Sequence, residues 1–411
     1  MTTKEFLKQN AKWLSAGALL TFLSSFGQTF FISLFSEPIR HDFNLTHGEW
    51  SSIYSIGTAA SAVVMVWAGG LTDRFRTRGL GVLVLAGLAS ACAFMALNPT
   101  PLLLIVAIFL LRFFGQGMAS HTAVVAMSRW FVATRGRALA ICALGFTIGE
   151  AIFPILVVAL MALMDWRILW GVAALITLAG LPYLLWSLKT ERSPQQVADD
   201  NQSEGMKKRH WTRKDVLSHP LFWLMIPALL GPAAFNTTFF FHHAHFAEIK
   251  GMTQLKLVTF FPIYTVVAVA MMVASGWLVD RYGSAKTMPF YQMPMLGAFV
   301  CFAFATGPTL IIVGLVFLAM SAGANSTLPN VFWAEFYGTR HIGSIKAMAA
   351  AVMVLGSAVG PLITGRLIDR GLALDTQYIA IAGFFGLSTI CMAFGISTYK
   401  SSVSSYLVLR K

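Results

Sequence analysis

The sequence predicts an all-α membrane protein with twelve transmembrane helices in two six-helix bundles, from its composition, the spacing of its apolar runs and an internal repeat. Of 411 residues, 57% are hydrophobic and 11% charged, against about 45–50% and 25% in soluble domains. Mean hydropathy is +0.70, so lipid is the solvent for most of the chain. A net charge of +13 would suit a nucleic-acid partner if the cations were gathered on a soluble module. Here they sit in short turns between apolar runs, which excludes that partner.

A hydrocarbon core about 30 Å thick takes about 20 apolar residues per helix. Cutting the chain at its charged and Pro/Gly clusters gives spans over 13–36, 50–71, 80–98, 101–128, 139–164 and 167–188. A second set covers 220–246, 254–278, 287–306, 309–334, 343–368 and 376–398. The polar stretch between them holds Pro194, Asp199, Asp200, Glu204 and the run Lys207-Lys208-Arg209, and reads as a solvated linker. The expected domains are therefore bundle 1–188, cytoplasmic linker 189–219 and bundle 220–411. Residues 1–12 are polar, and no small-residue cleavage site follows the first apolar run, so a retained span is expected rather than a signal peptide. Cys92, Cys142, Cys301 and Cys391 fall inside apolar segments without metal-ligand spacing, and no metal is expected.

Orientation follows from the basic residues. Placing both termini and the linker on one side collects about 23 of the 30 Lys and Arg there, which makes that side cytoplasmic. Arg40, Arg167, Lys250, Lys256, Arg366 and Arg370 lie opposite, and Arg112 lies within a span. The repeat is explicit: Gly69-x-Leu71-x-Asp73-Arg74 recurs 207 residues later as Gly276-x-Leu278-x-Asp280-Arg281. The same offset relates Gly149 to Gly356, Ala151 to Ala358 and Pro154 to Pro361. Two halves in one orientation imply a pseudo-two-fold axis along the membrane normal, with the solute path between them.

These residues resemble the major facilitator superfamily over nearly the whole chain. The turn Gly69-Gly70-Leu71-Thr72-Asp73-Arg74-Phe75-Arg76-Thr77-Arg78 resembles the family's loop signature, with Arg76 where glycine is usual and Thr77 where a basic residue is usual. The resemblance implies a cytoplasmic gate latch at Gly69, Asp73, Arg74 and Arg78, repeated at Gly276, Asp280 and Arg281. Arg112-Phe113-Phe114-Gly115-Gln116-Gly117 resembles the arginine-plus-glycines motif of the fourth span. Gly145-Phe146-Thr147-Ile148-Gly149-Glu150 with Pro154 resembles the glycine- and proline-rich fifth span. Arg129-Trp130-Phe131 and Arg135-Gly136-Arg137 are similar to the monocarboxylate and oxalate–formate carrier branch. Carriers of that branch place an arginine in the eighth span; here 260–279 is uncharged, leaving Arg112 as the buried cation for a carboxylate.

Arg112 and Glu150 both fall near mid-bilayer, where a charge costs several kcal/mol and marks a partner, a cavity or a proton path. They are expected to form a pair whose breaking couples solute to protons. His121, about two and a half turns from Arg112, is a further coupling candidate. His242, His243 and His245 end the seventh span as a gate or anion contact, although on a continuous helix they cannot all face one cavity. Gln28, Thr29, Asn236, Thr237, Asn325, Ser326 and Asn330 are the polar candidates for lining the cavity.

The expected function is secondary transport of a small solute by alternating access, coupled to protons and acting as a monomer in a bacterial inner membrane. The solute is a small organic anion, with export of drug-like or amphiphilic compounds as the alternative. A transporter-like membrane sensor that moves nothing is the reading from a different class. The chain has neither a nucleophile–base constellation nor a Gly-x-x-x-x-Gly-Lys-Ser/Thr loop, so no enzyme, ATP-driven pump or cofactor is expected.

Overall fold

The computed structural model describes residues 3–131, 135–190, 204–338 and 341–402. Helices lie at every predicted span position. Among the described residues, ten are long and apolar enough to cross a membrane, or eleven if the pair Glu5–Gly27 and Thr29–Phe43, bent by 44°, is one span. A 22-residue helix, His47–Ala68, occupies the second predicted position.

The first span departs from its expected bounds at both ends. Helix begins at Thr3, because Phe6 and Asn10 are buried and Phe6 meets Phe131 edge-on at 5.6 Å. It then breaks at Gly27-Gln28, where Gln28 is extended (φ −85°, ψ 153°). The cause is close crossing by the fourth span: a side chain on Gly27 would put its Cβ 2.1 Å from the Leu111 carbonyl oxygen.

The chain forms two compact units, one of 1–197 with the short segments 240–245 and 253–259, the other of the remaining residues. In the first unit, Gly145 and Gly149 seat the fifth span against the first. An added Cβ would lie 1.9 Å from the Ala18 carbonyl oxygen at Gly145 and 2.2 Å from Ser25 Oγ at Gly149. Thr21 Oγ1 donates across this crossing to the Cys142 carbonyl at 2.5 Å. Small residues four apart allow this approach, and packing is what holds helices together in lipid. Gly145→Ala is expected to destabilise the unit by about 1–3 kcal/mol through overpacking against backbone. Gly171→Ala, with nothing within 4 Å of the new Cβ, serves as the neutral control; equal thermal unfolding of the two variants in detergent would refute the crossing's importance.

The second unit repeats the device with Gly356 and Gly360 against the Leu230 and Ala234 carbonyls, at 2.7 and 2.4 Å from the added Cβ. Pro232 has no N–H, so the Ala228 carbonyl four residues earlier loses its helical donor. Tyr291 Oη and Gln292 Nε2 donate to it instead, at 2.8 and 2.6 Å, and Ser388 Oγ donates to Gln292 Oε1 at 2.8 Å. Each unit is also clasped by an ion pair at matching positions, with the charges exchanged. Asp42 takes Arg167 and the Trp166 indole N–H in the first unit, and Lys250 meets Asp375 at 2.8 Å in the second.

The described second half of the linker departs from the solvated reading. From Glu204 onward it docks on the second unit, burying Met206, Trp211 and Val216. The Trp211 amide donates to the Tyr337 carbonyl at 3.2 Å. A short helix, Arg213–Leu217, is capped by Thr212. The Thr212 hydroxyl and amide hold the Asp215 carboxyl below the ordinary carboxylate range, with Arg209 a smaller influence. All four cysteines are free.

Candidate functional site

The site grows from a wide turn in the fourth span, Pro101–Met127. Residues Arg112–Ala119 form a π-helix, a geometry that inserts a residue into the α-helical register and clusters at functional sites. Gly115 lies within this turn and lets it approach the first span; a Cβ there would meet Gly27 Cα at 2.6 Å.

The break in the first span supplies Arg112 with an acceptor. The amides of Phe31 and Ile32 both turn to the Gln28 carbonyl, at 3.2 and 3.1 Å, which leaves the Gly27 carbonyl for the arginine. Arg112 Nη1 donates to Gly27 O at 3.3 Å and to Thr29 Oγ1 at 3.1 Å. The Thr29 and Tyr54 hydroxyls share a hydrogen bond of 2.6 Å, and the guanidinium carbon stands 5.5 Å from the centre of the Tyr54 ring. Arg112 is 2% exposed. Its Nε has no hydrogen-bond partner, and no carboxylate pairs with it among the described residues.

The expected Arg112–Glu150 ion pair is therefore not formed. Depth along a helix does not fix direction around it: the fifth span turns Gly145 and Gly149 onto the first span, which aims the next residue, Glu150, elsewhere. Glu150 is half-buried near the middle of Ala138–Met161. Pro154, four residues on, removes the donor for its main-chain carbonyl.

His121 also stands apart from Arg112. Its Nε2 lies 3.3 Å from the Gly69 carbonyl, which accepts the Thr72 hydroxyl at 2.7 Å. The histidine thus belongs to the turn that carries Gly69, Arg74 and Arg78, both arginines exposed. The side chains of Asp73, Asp280, Arg129, Arg135 and Arg137 lie outside the described residues. In the second copy of the turn, Gly276 has open space around it, and Arg281 stacks on Trp277 and Tyr282 at 5.3 and 5.4 Å. Gly283 turns the chain at φ 78°. Glu335 then accepts the Ser284 amide and hydroxyl, at 3.1 and 2.5 Å.

The histidines at the end of the seventh span are split by a break, since its helix ends at Phe241 and the next begins at His243. His242 and His245 approach His47, with ring centres 6.1 and 4.5 Å away. His243 turns elsewhere, its Nδ1 2.8 Å from the Phe240 carbonyl and its Nε2 3.0 Å from Gln254 Nε2. Between these rings and Arg112 lies an aromatic layer, in which Phe241 stacks on Trp50 at 5.9 Å and meets Tyr54 at 4.5 Å. Phe241 also meets His242 edge-on at 5.0 Å, so Arg112, Thr29, Tyr54, Phe241, His242, His47 and His245 form one continuous series of contacts inside the first unit.

Of the polar candidates, Thr29 belongs to this series and half-buried Gln28 forms the break beside it. In the second unit Asn236 and Thr237 are half-buried, and Asn236 Oδ1 has no partner. Asn325 is half-buried, while Ser326 and Asn330 are exposed on one face; Asn330 Nδ2 donates to the Ser326 carbonyl at 2.8 Å. Sequence reasoning missed Tyr54 and Glu335. Each is a hydrogen-bonding group in an apolar helix, a signal that could have found them.

The profile described as Major Facilitator Superfamily matches residues 17–361. The riboflavin transporter MCH5 of Saccharomyces cerevisiae is 22% identical over 300 residues, 68% of this chain and 56% of that protein. The match thus spans little more than half the length of this relative. Among solved structures, a bacterial homologue of the human lysosomal transporter Spinster, inward-facing and unoccupied, superposes with a TM-score of 0.73 at 14% identity, covering 97% of this chain and 99% of that one. The nucleoside transporter NupG gives 0.68 at 14% identity, covering 94% and 99%. A variant of the peptide transporter POT gives 0.71 at 11% identity, covering 94% and 95%. At these identities the superpositions establish a shared helical fold.

Proposed function

Because the chain belongs to the Major Facilitator Superfamily, we propose that it is a secondary active transporter in which Arg112 receives an anionic group of a small solute and Glu150 carries the coupled proton. One observation carries the reading: a buried guanidinium in a membrane span with a free Nε and, among the described residues, no carboxylate paired with it. Such a charge costs several kcal/mol unless compensated, and a solute anion supplies the missing partner. The similar proteins include riboflavin, nucleoside and peptide transporters, so the solute class is argued from Arg112 and not from them. A small organic anion fits best, as in the carrier branch that the sequence resembles.

Alternating access would use the same contacts. The Tyr54 ring lies against both the guanidinium and Phe241, so an anion that draws Arg112 toward itself disturbs the aromatic layer beneath the histidines. That layer serves as the outer gate, and the turn at Gly69, where His121 meets the main chain, as the inner one. The full arrangement is twelve spans with both termini cytoplasmic, in a bacterial inner membrane, functional as a monomer.

The test is solute flux in proteoliposomes, against carboxylates, amino acids, nucleosides and amphiphilic drugs, with and without a pH gradient. Uptake of an organic anion that collapses with a protonophore is the expected result. Flux of neutral or cationic amphiphiles instead would establish the export alternative, and absence of any flux would leave a sensor.

A further inference from the structure

We propose that the first unit carries a binding site for an anionic glycerophospholipid, its phosphate held by Arg76, Arg78 and Lys189 and its acyl chain lying along Val82 and Leu185. The site is a cavity of ≈ 470 Å³ lined by these side chains at the foot of an antiparallel helix pair. One helix, Thr77–Ala96, begins there, and the other, Trp166–Ser187, ends there. The three cations therefore stand where both spans leave the hydrocarbon. All three are exposed, and among the described residues no carboxylate lines the cavity.

The wall below the cations is apolar and continues onto the outside of the helix pair. Leu83 is 62% exposed and Leu185 38%, a surface that only acyl chains would cover. Aromatic side chains mark headgroup depth around it. Trp186 is 57% exposed with Lys12 Nζ 5.2 Å from its ring, and the Trp13 indole donates to the Thr190 carbonyl at 2.9 Å. Basic pockets between spans at the membrane surface are suited to phosphate headgroups. A soluble phosphate would satisfy the cations and leave the apolar wall unused, so the lipid is the better occupant. The site shares no residue with the Arg112 region, and its test is independent of what the protein transports.

The experiment is native mass spectrometry of the full chain in detergent, titrated with phosphatidylglycerol and with phosphatidylcholine of the same acyl chains. The wild type is expected to retain phosphatidylglycerol preferentially. Arg76→Gln and Lys189→Gln should each weaken retention about fivefold, and the pair roughly 25-fold, as expected for cations at an anionic headgroup. Arg78 belongs to the gate turn and is left intact. The charge-preserving pair Arg76→Lys with Lys189→Arg should retain the lipid, which separates lost charge from lost folding. Equal binding of the two lipids by the wild type, or unchanged retention in the double glutamine variant, would overturn the proposal. So would equal thermal stabilisation by sn-glycerol 3-phosphate, which would make this a soluble-phosphate site.

Discussion

Arg112→Lys is expected to lower kcat/KM for the transported anion from roughly 30-fold to several thousandfold, the equivalent of about 2–5 kcal/mol for a disrupted buried charge contact. The charge survives this substitution, but the geometry does not. The guanidinium spends Nη1 on Gly27 O and Thr29 Oγ1 and keeps Nε on a planar fork for the solute. An ammonium on a flexible stem must choose between those acceptors and the ligand. Initial rates of anion uptake into proteoliposomes measure the effect, and thermal unfolding checks that the variant is folded. Tyr54→Phe is the graded comparison: it removes the hydroxyl shared with Thr29, about 1 kcal/mol, and keeps the ring beside the cation. Normal anion transport by folded Arg112→Lys would reduce Arg112 to a packing residue between the first and fourth spans.

The fold was legible because lipid leaves few choices. Backbone polar groups must find partners inside the protein, nearly all of them within their own helix, so runs of about 20 apolar residues mark spans. The repeat relating Gly149 to Gly356 also translates into matching crossings, with each glycine admitting the backbone or side chain of a facing helix. The local departures escaped because hydropathy is blind to register. Gly27-Gln28 sits inside an apolar run without proline, and nothing in composition says that the helix must break where Leu111 and Gly115 cross it. The π-turn at Arg112–Ala119 is likewise one residue of register. The break at His242 invalidates a single-helix projection of the three histidines. Trp211 is an apolar residue in a polar stretch, and its burial against Tyr337 docks the end of the linker.

The separation of Arg112 from Glu150 sharpens what each residue should do alone. If the two formed a permanent pair, removing either would chiefly damage packing, and solute binding and proton coupling would fail together. With no ion pair or hydrogen bond to the Glu150 carboxyl among the described residues, Glu150→Gln is expected to spare solute binding and abolish coupling. Glutamine keeps the size and polarity of the side chain but cannot exchange a proton. One pH unit supplies about 1.36 kcal/mol per proton, so a carrier moving one proton per solute accumulates about tenfold across that gradient. The variant should equilibrate its solute to a ratio near one, while counterflow of labelled against unlabelled solute continues near the wild-type rate. Arg112→Lys should lose both activities, which makes the two substitutions distinguishable in one preparation. If folded Glu150→Gln still accumulates solute tenfold, the proton is carried elsewhere, and His121 on the Gly69 carbonyl becomes the next group to replace. That result would move coupling from the middle of the span to the turn that closes it.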